Sequence, residues 1–77
     1  MNEPYLYEIR VQGQLSAGWS GWFAGLAIHG DPNGETTLQG MLADQAELFG
    51  VLSRVHALNL TLISVNRLQP AGPQNDF

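Results

Sequence analysis

No cysteine occurs among the 77 residues, and that absence limits what the chain can fold into more than any other feature. A domain of this size buries only about 60% of the surface its unfolded chain exposes, and many are held together by disulfides or a bound metal. Disulfides and thiolate metal sites are both closed to this chain. Its stability has to come from a single hydrophobic core, with association between copies as a natural reinforcement.

Charge narrows the partners. Seven acids stand against Arg10, Arg54 and Arg67, with no lysine, for a net charge of −4. Phosphate backbones are bound largely by Lys and Arg releasing counterions, so no nucleic acid is expected. The same shortage of cations makes an anionic membrane surface a poor partner. The opening Met1-Asn2-Glu3-Pro4 lacks the basic start of a secretory signal, and no apolar run approaches the ~18 residues of a membrane span. A cytoplasmic location is the expectation.

Periodicity supplies the elements. Tyr5–Leu15 alternates, with Tyr7, Ile9 and Val11 on one side and Glu8, Arg10 and Gln12 on the other, which predicts a half-buried strand. In Ser16–Gly25, Trp19, Trp22, Phe23 and Leu26 have α-helical spacing, but Gly18, Gly21 and Gly25 each cost a helix about 1 kcal/mol against alanine. A short helix or an irregular turn is expected there. Leu26–Gly30 and Glu35–Leu42 flank Asp31-Pro32-Asn33-Gly34, whose Pro and Asn-Gly chemistry predicts a hairpin. Asp44 and Glu47 have capping-box spacing ahead of the stripe Leu48, Val51, Leu52, Val55 and Leu58, and Asn59 suits a left-handed stop, so residues 44–58 should be helical. In the last strand, Leu60–Leu68, Leu60 and Leu62 face one side while Ile63 and Val65 face the other. That reading implies cover on both sides.

The order β-α-β-β-α-β predicts an α+β, ferredoxin-like two-layer sandwich: a four-stranded antiparallel sheet with a short or irregular first helix. Residues 1–68 should form one compact domain, and 69–77, with Pro70 and Pro73, a flexible tail. The uncovered sheet face is expected to carry Ala27, Met41, Ile63 and Val65 among polar residues. Such a patch usually marks an interface.

The stretches Tyr7-Glu8-Ile9-Arg10-Val11-x-Gly13-x-Leu15, Trp19-x-x-Trp22-Phe23, Asp44-Gln45-Ala46-x-Leu48-x-Gly50-x-Leu52 and Leu60-x-Leu62-x-Ser64-Val65 together resemble a group of small, stand-alone bacterial proteins with no established activity. The resemblance spans residues 5–68. It implies a bacterial, single-domain, cytoplasmic protein and carries over no site residues.

Candidate sites are few. Trp19, Trp22 and Phe23 beside glycines could line a ligand pocket, although packing over the sheet explains them more simply. His29 and His56 lie far apart in sequence without metal-ligand spacing, so neither a metal nor another cofactor is expected. Arg10 and Arg67 on the open face could receive a carboxylate or phosphate, whereas cross-strand pairing with Glu8 or Glu35 is the plainer role. No phosphate-loop, nucleophile-elbow, zinc-protease or dinucleotide motif occurs, so no catalytic residue is named. The leading expectation is a self-associating interaction module, a homodimer formed through the open sheet face or an edge strand, with an interface drawn from Arg10, Met41, Ile63, Val65 and Arg67 and with another protein as the other partner considered. A small-molecule sensor domain is the alternative. A cofactor-independent α+β barrel enzyme using His29 or His56 with Arg10 ranks below both.

Overall fold

The computed structural model describes residues 4–68; the tail expected at 69–77 lies outside them. The chain is an α+β molecule. Strands β1 (Tyr5–Gln12), β2 (Ala27–Gly30), β3 (Glu35–Leu42) and β4 (Thr61–Leu68) form one sheet in the order β2-β3-β1-β4, every neighbouring pair antiparallel. β1 and β2 therefore run parallel to each other with β3 between them. A 3₁₀ helix (Ala17–Phe23) packs on β2, and helix α1 (Gln45–Ala57) packs on β3 and β4.

The core lies between the sheet and these two helical segments. Tyr7, Ile9 and Val11 of β1 stand beside Thr36, Leu38 and Leu42 of β3, and Phe23, Leu26, Leu48, Val51 and Val55 close over them. β1 ends at Gln12 rather than continuing to Leu15, because Gly13 takes φ +115 and turns the chain. The buried hydroxyl of Thr36 holds this turn: it donates to the Gly13 carbonyl at 2.6 Å and accepts from the Leu15 N–H at 3.3 Å.

The glycine-rich segment is helical with the tighter period, and this rearranges its aromatics. In a 3₁₀ helix residues i and i+3 eclipse one another. Trp19 and Trp22 therefore align on the outside, while Ser20 and Phe23 align inward. Phe23 is fully buried, and the Ser20 hydroxyl donates to the Leu26 carbonyl at 2.8 Å. The α-helical spacing expected to put Trp19, Trp22 and Phe23 on one face is thus corrected. Immediately beyond, Leu26 lies across β3 at Gly40, where a Cβ would stand 2.7 Å from Leu26 Cδ2. Gly40 is the gap in the sheet surface that lets this connection lie flat.

The hairpin and α1 form where the sequence expects them. The Asp31 carbonyl accepts from the Gly34 N–H at 3.1 Å, and Asn33 Oδ1 accepts from the Glu35 N–H at 3.2 Å. Asp44 accepts from the Glu47 N–H at 2.9 Å, while the Glu47 carboxylate reaches past the usual capping-box partner to the Ala43 N–H at 2.7 Å. At the far end the N–H of Asn59, with φ 60, donates to the His56 carbonyl and that of Leu60 to Val55, the paired bonds of a Schellman stop.

β4 departs from the sequence reading. Arg10 pairs with Ser64, but Val11 pairs with Leu62, so Ile63 is an extra residue in a β-bulge. The bulge resets the two-residue alternation. Leu62 opposite Val11, Val65 opposite Ile9 and Arg67 opposite Tyr7 all lie on the helix-covered face. The apolar residues on both phases of Leu60–Leu68 reflect this register shift and not cover on both sides. Val65 packs against the core instead of facing out beside Met41.

Candidate functional site

On the sheet face away from the helices, side chains align in rows across the strands. Only the row at one end, Met41–Leu6–Leu68, is apolar; the rows Gln39–Glu8–Asn66 and Thr37–Arg10–Ser64 are polar. Arg10 is already engaged. Its Nη2 donates to Glu35 Oε1 at 2.9 Å and lies 3.6 Å from Asp31 Oδ2, which also accepts from the Thr37 hydroxyl at 3.4 Å. Two carboxylates against one guanidinium leave this cluster net negative, so it repels the carboxylate or phosphate that two free arginines would attract. Arg67 does not share this face: its guanidinium stacks 4.1 Å above the Tyr5 ring on the other.

The five interface residues expected from sequence are therefore divided. Arg10 and Met41 lie on the open face, Val65 and Arg67 on the helix-covered face, and Ile63 in the bulge between the two phases. Both β2 and β4 are sheet edges, but β2 has four residues and β4 eight. β4 contains neither proline nor lysine, and Leu62 and Ile63 remain 45% and 43% exposed.

The three aromatics expected to line a pocket are also divided. Trp19 and Trp22 meet edge to face, centroids 6.4 Å apart at 83°, and the Arg54 guanidinium lies 4.7 Å over the Trp22 ring. Phe23 is in the core beneath them. This arrangement forms an outer aromatic corner that ties α1 to the 3₁₀ helix; cation–π contacts at such exposed positions contribute about 0.5–1 kcal/mol.

His29 is exposed on β2 opposite Thr37, and His56 is exposed on α1 beyond the other sheet face. The structure does not bring them together. His29 and Arg10 share a row but have Thr37 between them, roughly 10 Å apart at strand spacing. Among the described residues no group of three or more His, Cys, Asp or Glu side chains converges on a metal-sized site, and no helix is long and apolar enough to cross a membrane.

Sequence reasoning passed over Phe49, which is 60% exposed, one position off the buried stripe of α1. It also passed over Thr36 as a buried anchor and over the bulge. The apolar run at 60, 62, 63 and 65, with its break in alternation, was the available signal for the last.

No curated protein and no solved structure matches the chain. A family model described as a domain of unknown function, DUF8691, matches residues 6–66. With nearly all of the folded domain inside that match, this chain belongs to the DUF8691 family.

Proposed function

We propose that this chain is a small interaction module that acts by associating with copies of itself, as a homodimer. One observation carries the reading. Among the described residues six large hydrophobic side chains, Trp19, Trp22, Met41, Phe49, Leu62 and Ile63, are exposed, against a buried apolar core of ten. A core this small leaves stability marginal, and covering part of the exposed set by a second copy would add to it. The same proposal includes a ferredoxin-like assignment, a bacterial source and a cytoplasmic location. The first is supported by the succession of elements and by the split arrangement of β1 and β2 about β3; the other two rest on the sequence.

Native mass spectrometry over a concentration series, with thermal unfolding at each concentration, tests this reading. The expected result is a dimer that grows with concentration and a Tm that rises with it. A monomer whose Tm is independent of concentration overturns it. The small-molecule sensor is the second reading, and the exposed Trp19–Trp22 pair with Arg54 is the observation that favours it. A discrete added mass in the same spectra, with a ligand-dependent tryptophan signal lost in Trp22→Leu, is what it requires.

A further inference from the structure

We infer that the copies join along the edge of β4, two strands pairing antiparallel about a two-fold axis to make one continuous eight-stranded sheet. The inference rests on the self-association reading and names its surface.

An edge strand has a row of backbone N–H and C=O groups with no partner in its own sheet. β2 is too short to offer much of one, and β4 is the long edge. The bulge at Ile63 confines regular pairing to Ser64–Leu68. Directly opposite residues of an antiparallel pair project from the same face. The two-fold axis at the middle of that run places Asn66 opposite the Asn66 of a second copy and Ser64 opposite the copy's Leu68.

Helix α1 adds to this edge. Arg54 stacks on Trp22, so that flank of α1 faces the 3₁₀ helix and the β2 side of the sheet. Phe49 lies about 140° round the helix from Arg54 and so belongs to the flank above β4, together with Leu52. It is also one turn into α1, about 6 Å along the axis, close to the height of Asn66 two residues before the end of β4. The axis that pairs the strands therefore brings Phe49 towards the Phe49 of the second copy.

Charge favours a second copy over other occupants of this edge. Among the described residues β4 itself carries no acid: Glu8 stands one strand in, beside Asn66, Asp31 and Glu35 belong to the hairpin, and Asp44 and Glu47 to the start of α1. The one charged residue of β4, Arg67, is drawn onto the Tyr5 ring. For a protein of net charge −4, two copies can pair along β4 with no carboxylate on either of the two joined strands. The regular run is roughly 17 Å long, so the contact is small against the about 800 Å² per partner of a standard interface, and exchange between monomer and dimer is expected at micromolar concentrations.

Because the chain has no cysteine, one introduced thiol is unique. Under mild oxidation Asn66→Cys should yield a covalent dimer, since opposed residues stand about 4.5–5.5 Å apart, within disulfide reach. Gln39→Cys, in the middle of the open face, should not. Phe49→Glu should weaken dimerisation tenfold or more in sedimentation equilibrium while leaving the far-ultraviolet circular dichroism unchanged. A wild-type dimer that cross-links through Gln39→Cys, fails to cross-link through Asn66→Cys, or is indifferent to Phe49→Glu overturns the edge contact and leaves self-association standing. A wild-type monomer at roughly millimolar concentration overturns both.

Discussion

Thr36 is the one polar side chain buried in the core among the described residues, and its hydroxyl satisfies two backbone groups that the turn after β1 would otherwise leave unpaired. Valine has the same shape without the hydroxyl. Thr36→Val should therefore cost about 1–3 kcal/mol, the usual penalty for stranding buried polar groups, and urea unfolding monitored by tryptophan fluorescence measures it. Gly40 acts at the same scale by what it lacks, since any Cβ there would collide with Leu26. The two residues hold the chain where it enters and leaves the 3₁₀ helix.

At the scale of elements, β4 is set by one extra residue. Removing Ile63 leaves Leu62 on the helix face, Ser64 on the open face and Val65 on the helix face, so the alternation becomes regular and no core residue changes side. The expected outcome is a folded protein with unchanged circular dichroism. Its edge is longer and flatter, and sedimentation should show tighter association than in the wild type. A loss of fold on deletion would mean that the bulge is needed for α1 to seat on β4. The 3₁₀ helix makes the converse point. Its glycines leave it too weak for a full α-helix, and burial of Phe23 and Leu26 anchors it in the tighter form.

For the molecule as a whole, the distribution of charge decides how two copies meet. Salt shortens the screening length from about 10 Å at 0.1 M to about 3 Å at 1 M. If copies meet along the β4 edge, salt removes the repulsion between two −4 molecules without breaking an ion pair at the contact, and dimerisation should tighten several-fold. If they meet through the net-negative clusters of Arg10, Asp31 and Glu35 on the open face, the opposed carboxylates should make the dependence on salt steeper. Sedimentation equilibrium across that salt range separates the two.

Much of the fold was legible because it is local. The alternation of β1, the Asp31–Gly34 turn and the caps of α1 depend on residues a few positions apart, and each formed where its spacing required. Residues between distant segments decided the rest. Only the pairing of β4 with β1 could move Val65 to the covered face and leave Ile63 in a bulge, and only the packing of Phe23 could choose a 3₁₀ period that turns Trp19 and Trp22 outward. For Arg10 the sequence left Glu8 and Glu35 as partners; the fold chose Glu35 and added Asp31. Sequence alone determined the class, the helix and the hairpin, because short-range hydrogen bonding and periodicity specify them. Tertiary structure decided which residues share a surface, because register and long-range packing do not follow from any one segment's pattern.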